Sequence, residues 1–176
     1  MKSIWNLKVL GLLLGAVIFG VVVAQAQDEE PLTDEELTKY ALVMDFADQE
    51  KERLKDDYNG MIQDEELMDG GRRFKELKDV ADDSVKLAEI ATPEELEVFT
   101  RIEQANEENI AAFKEAYTEK IKDKEQLGAG LYNRITKALR SDKELKTRYT
   151  AILETVKSER AAAEESADAA EASTDP

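Results

Sequence analysis

The sequence predicts an all-α fold with no β-sheet, in the form of a small bundle of long amphipathic helices. Its apolar residues recur every three or four positions, a spacing that places them along one face of a helix. The chain of 176 residues contains only three prolines and eight glycines, so few points interrupt long helical stretches. Three segments also carry the residue pattern of a helix start, and these starts define the order of the elements.

The first 26 residues have the three parts of a secretory signal peptide. Two lysines give a positive start, residues 9–23 are uncharged and apolar, and residues 24–26 read Ala-Gln-Ala, the small-residue pattern of a cleavage site. We therefore predict export to the periplasm or the outside of the cell, with cleavage between Ala26 and Gln27. The apolar stretch is short for a membrane-spanning helix, which needs about 20 residues. An uncleaved signal anchor is the alternative interpretation.

The first helix follows a short acidic N-terminal segment, residues 27–31. It begins with the capping-box sequence Thr33-Asp-Glu-Glu36, in which Thr33 accepts from a free helical amide and Glu36 reaches back to the amide of Thr33. The apolar spacing predicts that this helix continues to about Gln63, with Gly60 weakening its last turn. The stripe consists of Leu37, Tyr40, Ala41, Met44, Ala47, Leu54 and Tyr58.

A glycine pair at residues 70–71 interrupts the chain, and a second helical stretch should run from about Phe74 to Ala91. The third element has the strongest start, Thr92-Pro-Glu-Glu95, because proline at the first helical position loses no hydrogen bond. Its apolar stripe continues as far as Ile121.

Glycines at positions 128 and 130 mark the next break, after which the spacing predicts a short helix over 131–139. A third capping-box pattern, Ser141-Asp-Lys-Glu144, opens the last helix. From Arg160 onward the chain consists mainly of Ala, Glu, Ser and Asp, with no large apolar side chain to bury. Residues 161–176 are therefore predicted to be a disordered acidic tail.

The two strongest helix starts also suggest an internal repeat. A shift of 59 residues pairs the start at Thr33 with the start at Thr92, and a further one-residue slip aligns the glycine-bounded short helices. We interpret residues 32–91 as helical repeat 1 and residues 92–160 as helical repeat 2, stacked to share a core. The aligned apolar pairs are Leu37 with Leu96, Tyr40 with Phe99, Tyr58 with Tyr117, Ile62 with Ile121, Phe74 with Tyr132 and Leu77 with Ile135.

Two segments carry a family resemblance. The sequence LTDEELTKY at 32–40 and the sequence LYNRITKALRSDKEL at 131–145 resemble the bacterial family catalogued as domain of unknown function 4168. In the second segment the matching positions are Tyr132, Ile135, Ser141, Asp142 and Leu145. The resemblance implies an exported helical protein, in some members with two copies of the pattern, but no known activity and no catalytic residues. The first copy departs from it, because residues 69–74 keep the glycine and the aromatic residue but lack the Tyr-Asn pair.

Composition limits the chemistry that the chain can perform. The sequence has no cysteine and no histidine, which removes disulfides, thiolate nucleophiles, zinc–sulfur sites and the usual general base. We predict that the protein is not an enzyme and that it has no cofactor and no catalytic, cofactor-binding or metal-binding residues. Without Lys2 and Lys8, the formal net charge of −16 becomes −18. Such a charge disfavours nucleic acid, and no stable membrane insertion is expected after signal cleavage.

The acidic residues Asp64, Glu65, Glu66 and Asp69 are the best candidates for a calcium or magnesium site, but they lack the spacing of an EF-hand. A solvated helix end is the preferred interpretation. The five tyrosines lie on the apolar stripes and are expected to pack in the core. We expect a protein-binding or structural role in the bacterial cell envelope, with another envelope protein or a second copy as partner. A carboxylate-based metal-binding or hydrolytic protein is the alternative.

Overall fold

The computed structural model describes residues 30–172, with side-chain environments as far as residue 167. The predicted signal peptide, most of the acidic segment at 27–31 and residues 173–176 lie outside the described residues. Within the described range helices are the only regular secondary structure and no strand is present, which confirms the predicted fold class. No helix in this range combines the length and the apolar character that crossing a membrane requires.

Six α-helices and one 3-10 segment follow one another along residues 30–172. The helices are α1 (Asp34–Gln63), α2 (Arg72–Asp79), α3 (Ser84–Ile90), α4 (Pro93–Lys122), α5 (Ala129–Ser141) and α6 (Lys143–Ala172), and the 3-10 segment (Glu66–Gly71) lies between α1 and α2.

Both predicted capping boxes at the starts of the long helices are confirmed. The Thr33 hydroxyl accepts from the Glu36 amide at 3.2 Å, and the Thr33 amide donates to the Glu36 carboxylate at 3.0 Å. At α4 the corresponding distances between Thr92 and Glu95 are 3.2 and 2.8 Å. These reciprocal bonds satisfy amides that have no partner inside the helix, which is why the sequence signal located both starts correctly.

The end of α1 at Gln63 also agrees with the prediction, but other helix boundaries differ from it. The second stretch is divided into α2 and α3, because Asp83 caps a new helix by accepting from the amides of Val85 and Lys86 at 3.2 Å. Asp142, not Ser141, caps α6, since its carboxylate accepts from the Leu145 amide at 2.9 Å. The short helix begins at Ala129, two residues before the predicted start.

The predicted disordered tail is also corrected. Residues 161–172 continue α6 as helix, although every side chain from 161 to 167 is exposed. Alanine and glutamate are strong helix formers, and extending an existing helix avoids the cost of nucleation. The absence of residues to bury therefore did not prevent helix formation.

The turn between α1 and α2 relies on left-handed backbone conformations. Asp69, Gly70 and Gly71 have φ values of 49°, 58° and 96°. At Gly71 an added Cβ atom would also lie 3.3 Å from Cγ2 of Ile62, a buried residue at the end of α1. Glycine there permits both the turn and the close approach of the chain to α1.

The long helices pack side by side, with α1 in the middle. Helix α4 is antiparallel to α1, because Met44 near the start of α1 contacts Tyr117 near the end of α4. Helix α6 runs in the same direction as α1, since Arg148 pairs with Asp34 and Lys157 pairs with Asp48 further along. The short helices α2 and α5 lie near opposite ends of the α1–α4 pair.

Two hydrophobic clusters form the core. The tyrosine cluster contains four tyrosines and is built on Leu37, Tyr40, Val43, Leu127, Ile135 and Leu145, with Tyr117, Tyr132 and Tyr149 packed against them. The phenylalanine cluster is built on Ile62, Met68, Phe74, Leu77, Phe99 and Ile102, with Tyr58 packed against them. Each cluster takes side chains from both halves of the sequence.

The two halves contribute reciprocally. The phenylalanine cluster joins the end of α1 and the α2 region to the start of α4, whereas the tyrosine cluster joins the end of α4 and α5 to the start of α1. Most of the apolar pairs aligned by the sequence shift lie in opposite clusters: Tyr40 and Phe99, Tyr58 and Tyr117, Phe74 and Tyr132. Neither half has a separate core.

Candidate functional site

A polar network lies beside the phenylalanine cluster. The Tyr58 hydroxyl donates to the Glu103 carboxylate, and the Lys78 ammonium donates to both groups at 2.6 Å. The Glu103 side chain is 16% exposed. Burial, followed by the hydrogen bond to Glu103, raises the pKa of Tyr58 well above its ordinary value. A phenol with a raised pKa keeps its proton at neutral pH, so this network links three helices and offers no activated nucleophile.

The corresponding tyrosine of the tyrosine cluster, Tyr117, has no carboxylate partner among the described residues. The Tyr117 hydroxyl contacts the Met44 sulfur at 3.8 Å, a weak acceptor, in place of a carboxylate. The ring of Tyr40 packs at a tilt against Tyr132, with centroids 5.7 Å apart, and edge-on against Tyr149, with centroids 5.4 Å apart. Burial raises the pKa values of Tyr40, Tyr117 and Tyr149. The tyrosines therefore act as packing groups, as their spacing in the sequence predicts.

An arginine from each short helix holds the capping glutamate of the opposite half. Arg73 of α2 binds Glu95 of α4 at 2.7 Å, and Arg134 of α5 binds both carboxylate oxygens of Glu36 in α1 at 2.7 Å. The hydrogen bond from Arg73 lowers the pKa of Glu95 to about 2. Both arginines thus join a short helix to the start of a long one.

Asp45 is a buried carboxylate in the middle of α1. Its Oδ2 atom accepts from Nε of Arg160 and from Nε2 of Gln49, both at 2.9 Å, while its Oδ1 atom has no hydrogen-bond partner in the described part of the chain. Sequence reasoning missed this residue, because the predicted stripe passed from Met44 to Ala47. The signal was available in the spacing of Asp45 from Leu37 and Ala41, which places all three on one helix face.

A shallow groove lies between α1 and the end of α4. It has a volume of about 460 Å³, with Leu42 and Val43 as its apolar surface and Lys39 and Lys120 beside them. Leu42 is 54% exposed. The Lys120 ammonium lies 4.5 Å from the centre of the Phe46 ring, so that aromatic and cationic groups meet at this groove.

Cations without an acidic partner are concentrated at the same end of the molecule. Of the 22 lysines and arginines after residue 29, nine have no described carboxylate within 4.0 Å. Eight of these nine belong to residues 114–146, which contribute the α4 end, α5 and the start of α6. They are Lys114, Lys120, Lys122, Lys124, Lys137, Arg140, Lys143 and Lys146. We call this set the cationic end.

Two of the four acidic residues considered as a metal site are ion-paired near the turn after α1, Glu65 with Arg101 and Asp69 with Arg72. The carboxylates of Asp64 and Glu66 have no partner among the residues described. Among the residues described, no group of three or more carboxylates lies close enough together to hold a metal ion. Arg72 and Arg73 are both ion-paired, Arg72 with Asp69 and Arg73 with Glu76 and Glu95.

Comparisons with known proteins returned nothing: no family model matches the chain, and neither the curated proteins nor the solved structures include a match.

Proposed function

We propose that the protein is exported and serves the cell envelope as a helical binding module, with the cationic end as its contact surface. The observation that supports this function is the separation of charge along the chain. Residues 114–148 contain ten cations and six carboxylates, although the whole chain has a net charge of −16. Solvated lysines on an acidic protein usually find carboxylates nearby, whereas these eight cations remain available to an external partner.

The partner that fits this surface is an acidic protein surface, from another envelope protein or from a second copy of the chain. Opposite charges steer encounter and fix orientation, while the exposed Leu42 in the groove offers apolar area at the contact. We further propose that the two halves are duplicated units, as the resemblance to domain of unknown function 4168 implies. The reciprocal construction of the two clusters supports this origin.

In-cell cross-linking of the tagged protein tests the contact surface directly. A photoreactive phenylalanine analogue would replace Lys137 or Leu42, and the matched control would place it at Lys55, the unpaired cation outside the cationic end. We expect cross-links from positions 137 and 42 and few from position 55. One dominant envelope protein among the products indicates a dedicated module, and many unrelated exported proteins indicate a chaperone-like role. Equal cross-linking from position 55, or none from any position, contradicts the proposal.

Two simpler measurements test export and the alternative function. N-terminal sequencing of the protein from fractionated cells should give Gln27 as the first residue, and an intact N-terminus on membranes would contradict cleavage. Thermal melting should be unaffected by millimolar calcium or magnesium. A clear rise in melting temperature would instead favour the metal-binding alternative.

A further inference from the structure

The end of the molecule that contains the phenylalanine cluster has an excess of negative charge. Residues 64–97 contain twelve carboxylates and five cations. All five cations are ion-paired within the described structure. Six exposed carboxylates in the same range have no cation within 4.0 Å among the residues described. We call this set the acidic end, and its members are Asp64, Glu66, Asp82, Glu89, Glu94 and Glu97.

Exposed apolar side chains accompany these carboxylates. Leu67 is 45% exposed, Val85 is 66% exposed and Ile90 is 43% exposed. Of the large apolar side chains that are exposed in the described part of the chain, only Leu42 lies elsewhere. Helix α3, which contains Val85 and Ile90, has no buried side chain. Exposed apolar area beside unpaired charges of one sign is typical of a surface that contacts another protein.

The acidic end and the cationic end cannot meet within one molecule. The acidic end adjoins the phenylalanine cluster and the cationic end adjoins the tyrosine cluster, at opposite ends of the α1–α4 pair. Helix α1 rises about 38 Å between Leu37 in one cluster and Ile62 in the other. The charges of each end therefore remain unpaired until another molecule supplies the opposite charge.

We propose that the cationic end binds the acidic end of a second copy of the chain, so that two different surfaces form the contact. This inference rests on the contact surface of the proposed function and names its partner. Residues 114–148 have ten cations and six carboxylates, a net charge of +4, whereas residues 64–97 have a net charge of 5 − 12 = −7. The exposed Leu42 beside the cationic end and the exposed apolar residues of the acidic end add apolar burial.

The net charge of −16 on each copy opposes association only weakly in physiological salt. Electrostatic interactions are screened over about 8 Å at that ionic strength, whereas the two ends of one molecule lie about 38 Å apart. The charges that face each other at the contact therefore decide the sign of the interaction. Such a contact should weaken when the salt concentration is raised.

Sedimentation velocity of the natural chain tests the contact. We expect its average mass to rise with concentration in 0.15 M salt and to rise less in 0.5 M salt. The variants K137E/K143E and E89K/E97K reverse charges at the cationic end and at the acidic end respectively, and each should weaken self-association by about tenfold or more. An equimolar mixture of the two variants should associate again, because each variant keeps the end that the other has lost.

The matched control is E107K/E108K, which reverses two exposed carboxylates of α4 between the two clusters. It changes the net charge by the same amount as the acidic-end variant, and it should not weaken self-association. Circular dichroism of each variant checks its folding, and recovery of association in the mixture requires that both variants are folded. A natural chain that is monomeric at every concentration, equal weakening by the control, or a mixture that stays monomeric would overturn the proposal.

The in-cell cross-linking described above separates this inference from the proposed function. A second copy as partner predicts a cross-linked product of twice the mass of the chain from position 137. If the natural chain is monomeric but position 137 still cross-links to one other envelope protein, the second-copy inference fails and the proposed function stands. Absence of both self-association and cross-links overturns both.

Discussion

The two hydrophobic clusters lie at opposite ends of the α1–α4 pair, and different elements complete them. In the tyrosine cluster the third helix of its half, α6, is 30 residues long and lies along α1, whereas its counterpart α3 has seven residues and no buried side chain. The phenylalanine cluster is bordered instead by the polar network of Tyr58, Lys78 and Glu103, which links α1, α2 and α4. Similar apolar spacing therefore leads to one end covered by a long helix and another bordered by a polar network.

Cavity-forming substitutions should separate the two ends most clearly. Ile135 in the tyrosine cluster and Leu77 in the phenylalanine cluster are both fully buried and are paired by the sequence shift. We expect I135A and L77A each to lower the free energy of unfolding by about 2–5 kcal/mol in denaturant titrations. Hydrogen exchange should show local loosening of residues 66–90 in L77A, because few contacts hold α3. Faster hydrogen exchange along the whole chain in L77A, but not in I135A, would contradict this difference between the two ends.

The polar network offers a smaller and more selective test. Y58F removes a hydroxyl that donates to a carboxylate, and we expect a loss of about 1–2 kcal/mol in the free energy of unfolding. Y117F removes the paired hydroxyl, which donates to the Met44 sulfur at 3.8 Å and to no described carboxylate, and it should cost less than about 0.5 kcal/mol. Chemical denaturation of the two variants side by side measures both values. Equal losses would mean that the two ends are held together alike.

Low pH should destabilise the end of the molecule that contains the phenylalanine cluster, because it protonates Glu95. The pKa of this residue is about 2 in the folded protein, against an ordinary value of 4.5. A depressed pKa contributes stability that is complete above the unfolded-state pKa and is lost as the pH falls from about 4.5 toward 2. We expect E95Q to be less stable at neutral pH and to lose less stability between pH 5 and 2 than the natural chain does. An unchanged slope in that interval would contradict the role of the Arg73–Glu95 pair.

The smallest effect is expected from shortening α6. The side chains of residues 161–167 are exposed, and Glu164 pairs only with Arg160 of the same helix. A chain that ends after residue 165 should unfold within about 0.5 kcal/mol of the complete chain. A larger loss in thermal or chemical denaturation would show that the projecting part of α6 has a partner within the molecule.

The sequence correctly predicted the structural features that depend on residues close together in the chain. The capping boxes at Thr33 and Thr92 fixed the starts of α1 and α4, because donor and acceptor lie three residues apart. The division between α2 and α3 was missed because Asp83 is one of many acidic residues, and its neighbours in the sequence do not mark it as a helix cap. The helical tail was missed because burial was used as the criterion for order.

Contacts between residues far apart in the sequence could not be predicted from the spacing of apolar and capping residues. Asp45 is buried because Arg160, 115 residues away, satisfies one of its oxygens. The concentration of unpaired cations depends equally on packing, because Arg134 and Arg148 are neutralised by the start of α1 while their neighbours are not. The net charge of −16 does not disclose this end of the molecule, because it is a sum over the whole chain.

The reciprocal packing of the clusters has a consequence for any fragment of the chain. Residues 32–91 alone would leave the start of α1 without α5 and α6, and the end of α1 without the start of α4. In such a fragment both hydrophobic clusters would be incomplete, one at each end of α1. If the two halves are duplicated units, as we propose, two copies of the ancestral half, antiparallel about a twofold axis, would complete each other's cores. The present chain would then be a homodimer whose subunits have been fused, and in which only one subunit retained a long final helix.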